Sequence, residues 1–341
     1  MRTQLFASML ALAVAAAPGY AQTASAKGTA KAPAKVAAAA YKAPRTPDGV
    51  PDLQGVYSNS SAVPLERPAN LGAKEFYTDA EVKANAEAAA ARAAAAPAFP
   101  QANVVGTVAD IHYDTSQFGL TRNVTAAMAS NRTSILVGDT GKVPAMIPEA
   151  TKRQADARAL VAGHQFDGPE NRGIAERCIY WGNEGPPMLP VGYNATLQIV
   201  QGPGYVGIVQ EMIHDTRIIP TDGRPHTSSN IRQFFGESVG HWEGDTLVVD
   251  TTNFNDLPAV GRGASRNLHV VERFTRSGPE TVLYQFTVSD PSTWEKSWSG
   301  EYPIGKIDGA VYEYACQEAN YGMANILSGA RADEKKAAAA K

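Results

Sequence analysis

Between residues 195 and 318 the apolar positions alternate instead of recurring every third or fourth place. In "TVLYQFTV" (281–288), Val282, Tyr284, Phe286 and Val288 share one face, while Thr281, Gln285 and Thr287 share the other. That two-residue period is the signature of a strand with one buried side. Four such stretches fold back at Gly- or Pro-containing turns. "ATLQIVQGPGYVGIVQEMI" turns at Gly-Pro-Gly, "GHWEGDTLVVDTTNF" at Glu-Gly-Asp, "LHVVERFTRSGPETVLYQFTV" at Ser-Gly-Pro, and "YPIGKIDGAVYEYAC" at Asp308–Gly309. Helical patterning is confined to two places. Thr78 and Glu81 form a capping box ahead of an alanine-rich helix over about 79–96, and a last helix begins near Asn320 and fades into a disordered AAAAK tail. The alanine face of the first helix buries little, which places it on the surface.

Four consecutive hairpins without crossover helices predict a mainly β fold, an antiparallel meander closed as a lipocalin-like barrel with peripheral helices. A β-sandwich is the alternative, and a parallel α/β sheet lacks its crossover helices. The expected layout is one domain over 48–335. In it, 48–190 packs on or plugs the barrel, 191–318 supplies the barrel hairpins and 319–335 the C-terminal helix. The aromatic, Gly- and Pro-rich stretch 178–194 reads as an ordered loop over the barrel mouth.

The N-terminus changes the picture. "MRTQLFASMLALAVAAAPGYAQ" has one arginine, about ten apolar residues and small residues up to Ala21, the pattern of a secretory signal peptide over 1–21. Pro18, Gly19 and Tyr20 interrupt the run before it reaches the roughly 18–20 apolar residues of a membrane span. Residues 22–47, rich in Ala, Lys and Pro, are expected to be a disordered linker. Export to the periplasm or beyond, without membrane insertion, is the resulting expectation. In that oxidising setting the only two cysteines, Cys178 and Cys316, are expected to form a disulfide. Such a bridge contributes roughly 4–5 kcal/mol in the chain-entropy treatment. A formal net charge of −3 gives no electrostatic reason to expect a nucleic-acid partner.

"EMIHDTRIIPTDGRPH", "GHWEGDTLVVDTTNF", "LHVVERFTRSGPETVLYQFTVSDPSTW" and "YEYACQEANYGMANIL" together resemble a largely uncharacterised family of secreted bacterial proteins. The resemblance spans roughly residues 45–335 and implies export but no particular reaction. The family's closing Cys-His-Glu motif stands here as Cys316-Gln317-Glu318, so Gln317 is left out of the candidate site.

The first of those motifs concentrates the candidate chemistry. A chain with six histidines places two of them, His214 and His226, within sixteen residues, with Glu211, Asp215, Arg217 and Arg224 around them. As a strand, 211–217 would turn Glu211, Ile213, Asp215 and Arg217 to one side and Met212, His214 and Thr216 to the other. "PTDGRPH" would then be a turn at the barrel rim, a common place for a small-molecule site. On this reading His214 is a general base and His226 an acid, histidine being the side chain that titrates near neutral pH. Arg217 and Glu211 position the substrate, and Asp215, Arg224, His269 and Glu272 complete the binding groups. The bland alternative is an exposed Asp215–Arg217 pair on a solvated strand and turn. Glu272, alternating among Val270 and Phe274, is either the buried partner of an arginine or a pocket acid. No organic cofactor is expected. Zinc is a weak alternative through His214, His226 and His269 with Glu211 or Glu272, although none has the close spacing of a metal motif. "GESVG" (236–240) has the nucleophile-elbow letters, but a strand rather than a helix follows Ser238, so the serine-hydrolase reading fails. The expectation is a small-molecule enzyme of isomerase, lyase or hydrolase type acting by proton transfer in a barrel pocket. A non-catalytic periplasmic carrier is its rival.

Overall fold

The computed structural model describes residues 41–95, 130–182, 184–256, 263–318 and 320–340. The expected signal peptide and the linker before residue 41 lie outside them. Among the described residues nine strands form one sheet: β1 (Gly55–Ser58), β2 (Thr196–Gly202), β3 (Tyr205–Gln210), β4 (Thr216–Pro220), β5 (Glu237–Glu243), β6 (Thr246–Thr252), β7 (His269–Gly278), β8 (Thr281–Ser289) and β9 (Trp298–Lys306). Their order, β4-β3-β2-β1-β9-β8-β7-β6-β5, is a meander in which every paired neighbour is antiparallel. The sheet curls into a nearly closed barrel. Its inward positions follow the two-residue period: Leu197, Ile199, Ile208, Val249, Val270, Phe274, Tyr284 and Tyr302 are fully buried. The β5–β6 turn depends on Gly244, whose φ of +62° suits glycine.

The strand count decides where the barrel stays open. Nine strands with only antiparallel neighbours leave the first and last, β4 and β5, running the same way. Contacts across the gap advance together: Arg217 Nη2 reaches Ser238 Oγ at 3.3 Å, and Ile219 packs on Gly240 two residues further along. A Cβ at Gly240 would stand 2.9 Å from Ile219 Cγ2, so glycine lets the two strands approach there. Among the described residues no ladder joins β4 to β5. A parallel pair needs a long crossover in place of a tight turn, and residues 221–236 supply it. The seam therefore lies between consecutive strands.

Several expectations are corrected here. The N-terminal region donates β1, which fills the place between β2 and β9 and closes the meander. Residues 41–47 are ordered: Arg45 bridges to Pro51, Thr46 N donates to Val50 O at 2.9 Å, and Ala43 is buried. The fourth hairpin does not form, because β8 and β1 occupy both edges of β9 and leave none for 310–316. Among the described residues there are three α-helices, α1 (Asp79–Ala95), α2 (Pro148–Val161) and α3 (Tyr321–Ala339), none of them part of the sheet. Of these, α2 was not expected, and α3 carries the alanine tail with it, as alanine's high helix propensity favours. The capping box at α1 is present, with Thr78 N donating to Glu81 Oε2 at 2.8 Å. None of these helices is long and apolar enough to cross a membrane.

The 178–194 loop plugs one barrel end. Met188 is fully buried; its N–H donates to Tyr284 Oη at 2.8 Å, and its carbonyl accepts from Tyr302 Oη at 2.9 Å. The Cys178–Cys316 disulfide, with Cα atoms 5.8 Å apart, ties the start of this plug to the segment after β9. Replacing both cysteines with alanine is expected to lower stability by about 2–4 kcal/mol. That is less than loop-closure entropy alone implies, since a real unfolded chain keeps residual structure. Urea unfolding of the double variant measures it, and a midpoint equal to wild type would show that the plug holds without the bridge.

Candidate functional site

The seam opens at its lower end into a cleft of about 390 Å³. Asp215, Arg217 and Ile218 line it from the β4 side and Glu237 and Ser238 from β5, while the crossover contributes Arg224, Thr227, Phe234 and Phe235. Phe234 and Phe235 pack edge-to-face at 5.0 Å and both lean on Tyr180 of the plug loop, so the aromatic wall has support behind it.

The local chain explains why Asp215 and Arg217 meet here and Glu211 does not. Residues 212–214 form a single 3₁₀ turn, with Ile213 and His214 at φ of +60° and +48°. That turn breaks the strand expected over 211–217. Glu211 lies before the break and is buried, with its Oε1 accepting from Asn194 Nδ2 at 3.0 Å. His214 is exposed, its Nδ1 3.1 Å from the Tyr314 carbonyl oxygen, and is not among the cleft residues. Neither of them lines the cleft.

Arg217 points into the barrel. Its Nη1 and Nη2 donate to the two oxygens of Glu272 at 3.1 and 2.5 Å, and Tyr284 Oη donates to Glu272 Oε1 at 2.7 Å. Glu272 is fully buried, so the arginine-partner reading holds and the surface Asp215–Arg217 pair does not. Burial opposes the Arg217 charge, but Glu272 more than offsets it and holds the guanidinium protonated. Burial, together with the Glu272 charge, pushes the Tyr284 phenol well up, so it stays a neutral donor. Asp215 lines the cleft together with Arg217. Burial raises its carboxyl pKa, against the lowering pull of Arg217, the Thr216 N–H and His214. Arg224 sits at the rim, paired with Asp222 (Nη2–Oδ2 2.6 Å) and with its guanidinium 5.3 Å from the Tyr205 ring centroid.

His226 and His269 meet elsewhere, on the outer face of β5–β7 behind the cleft wall. Their Nε2 atoms lie 3.0 and 2.8 Å from the two oxygens of Asp250, and His226 Nδ1 is 3.3 Å from Glu237. Glu237 also accepts from Thr227 N and Asn253 Nδ2, which fastens the crossover to the barrel. The proposed zinc set is not assembled: His214, His226 and Glu211 lie on different partners, and no group of three or more His, Cys, Asp or Glu among the described residues is placed to hold a metal. Sequence reasoning missed Asp250, Glu237, Phe234 and Phe235. Only the Phe-Phe pair in an otherwise polar loop carried a signal.

Within the outer cluster, the His269 and Asp250 pKa values are shifted in opposite directions. The hydrogen bond to Asp250 raises the His269 pKa, more than burial lowers it. Burial alone would raise Asp250, but the hydrogen bonds and charges of His269 and His226 bring it below its ordinary value. The Asp250 contribution is present above about pH 4 and is lost on acidification through its lowered pKa. The His269 contribution is complete below about pH 6.5 and is lost as pH rises through the raised pKa. Stability from this pair therefore peaks between those limits. Asp250→Asn is expected to lower the His269 pKa and flatten the alkaline limb, as followed by imidazole proton shifts in an NMR titration. An unmoved His269 titration would contradict the pairing. No protein-family model, curated protein or solved structure matches this chain.

Proposed function

We propose that the protein binds a small, partly apolar molecule in the seam cleft and performs proton-transfer chemistry on it, as an isomerase, lyase or hydrolase. The observation that carries this reading is Asp215, a carboxyl whose pKa burial holds up, in a cleft that Arg217 also lines. Perturbed titratable groups in a concave site mark candidates for acid/base work. In this assignment Asp215 exchanges the proton. Arg217, held in its ion pair with Glu272, forms a fixed part of the cleft lining, and the Ser238 and Thr227 oxygens, already bonded to Arg217, Thr251 and Glu237, can still accept a hydrogen bond from the substrate. Phe234, Phe235 and Ile218 receive its apolar part. His226 supports the wall through Glu237 instead of acting as the acid. The disulfide fits work in an oxidising compartment, outside the cytosol.

The same cleft in a carrier would bind without turnover, so occupancy and chemistry are measured separately. Native mass spectrometry of protein purified without denaturant is expected to show a bound small molecule. Phe234→Arg, which fills the cleft with a long charged side chain, is expected to release it. Retention of the molecule by that variant would move the binding site elsewhere.

A further inference from the structure

We infer that a second small-molecule site lies between α1 and the outer face of β8–β9, where it takes a neutral carbonyl compound with an apolar body. A cavity of about 450 Å³ sits there, within the size range of ligand pockets and lined by none of the seam-cleft residues. Phe76 and Val82 form its wall on the α1 side. Leu283 and Pro303, cross-strand partners on β8 and β9, form the wall on the barrel side. Leu283 lies out of phase with the inward Val282 and Tyr284, so the two strands present apolar surface outward as well as inward.

Arg132 gives this cavity its polar character. It is 7% exposed and held from three directions. Nε donates to the Ser134 carbonyl at 3.0 Å, Nη1 donates to Glu301 Oε1 at 2.9 Å, and the Phe76 ring centroid lies 5.0 Å from Cζ. Glu301 and Phe76 border the same cavity, which puts the guanidinium in its wall. Nη2 is buried and has no hydrogen-bond partner among the described residues. A guanidinium carries five N–H donors, and leaving two of them unmet in a protein interior is costly. Nη2 is out of reach of bulk water. Phe76, 41% exposed and stacked on the same group, is the side chain that turns to admit a ligand oxygen. A buried donor beside apolar walls selects a molecule with one acceptor on a hydrocarbon body.

Charge selects the acceptor. Among the described residues the cavity's charged side chains are Arg132, Glu301 and Asp79, one cation with two acids. Glu301 already offsets the guanidinium, so a ligand carboxylate would add a third negative group. A ketone, ester or amide oxygen accepts from Nη2 without that cost.

Methyl NMR of the full chain tests the site, because Val82 and Leu283 line this cavity and not the seam cleft. Three probes share one skeleton: benzylacetone, butylbenzene and hydrocinnamate. The expected result is saturable shifts at both methyl positions with benzylacetone, at least about tenfold tighter than with either of the others. Leu283→Trp, which fills the cavity from the barrel side, is expected to abolish the shift at Val82, whereas Phe234→Arg in the seam cleft leaves it unchanged. Arg132→Lys keeps a charge for Glu301 but has no second guanidinium nitrogen, and it is expected to erase the preference for the ketone. Should that variant not fold, the three-probe comparison on the wild-type chain decides alone. Absence of a saturable shift overturns the proposal. Butylbenzene binding as tightly as the ketone, or hydrocinnamate binding more tightly, overturns it as well, the first by leaving Nη2 without a role and the second by making this an anion site.

Discussion

Methionine in place of Arg217 is expected to destabilise the protein by about 3–5 kcal/mol, the usual effect of removing one partner of a buried ion pair. Arg217 supplies two of the three hydrogen bonds that Glu272 receives, and Tyr284 supplies the third. With the guanidinium gone, a fully buried carboxylate keeps one neutral donor. The loss should exceed that of truncating Arg273, whose partner Glu243 is exposed and whose ion pair is worth under about 1 kcal/mol. Pairing Arg217→Met with Glu272→Leu removes both charges and is expected to recover most of the loss, since apolar replacement of a buried pair is often neutral or better. Denaturant unfolding of the single and double variants measures both. A single variant within 1 kcal/mol of wild type, or a double variant no better than the single, would show that the pair does not hold β4 against β7.

The barrel wall was legible in the sequence because alternation survives wherever one face of a strand is buried. Val282, Tyr284, Phe286 and Val288 needed no tertiary information to be placed inward. The same period exposed Glu272 as an acid among inward apolar residues, and its partner question had a short list of answers. Closure was not legible. It depends on β1, four residues whose pairing with β2 and β9 has no local signature, and the parity of the whole sheet follows from that one strand. Once β1 took the open edge of β9, the expected fourth hairpin had nothing to pair with. The helix α2 could have been found: Pro148 at its first turn, Glu149 after it and the Lys152–Asp156 pair four residues apart are ordinary start and face signals.

The site was half legible for the same reason. Period-two counting put Glu211, Asp215 and Arg217 on one face, and it holds for the last two only. A positive φ at Ile213, a β-branched residue, is a tertiary constraint that no local propensity announces. The histidines drew the acid and base roles by rarity, whereas the carboxyl best placed for chemistry, Asp215, was expected only among the binding groups or in an ion pair with Arg217. Asp250 is a lone acid on the outward face of β6. It becomes informative only when the crossover delivers His226 to it and β7 delivers His269.

Asp215→Asn therefore carries the sharpest test of function. The substitution preserves shape and hydrogen-bonding capacity while removing the transferable proton, so an acid/base role predicts a fall in turnover of about 10²–10⁴. Ligand affinity should change little, because Arg217, Ser238 and the Phe234–Phe235 wall are untouched. With the ligand recovered from native protein as the starting compound, the comparison is kcat in single-turnover mixing against Kd by calorimetry. Burial raises the Asp215 pKa, so the wild-type rate should have a pH limb above the ordinary aspartate value of about 3.9, and the Asn variant should lack that limb. Sign separates the roles: activity rising through the limb identifies Asp215 as the base, and activity falling through it as the acid. His214→Ala serves as the contrast: its ring contacts the Tyr314 carbonyl away from the cleft, and since it pulls the Asp215 pKa down, its loss should move the Asp215 pH limb upward without abolishing turnover. Turnover that survives in Asp215→Asn and collapses in His214→Ala would return the chemistry to the histidine and refute the cleft assignment. A protein that binds the compound tightly and converts it in neither form is a carrier.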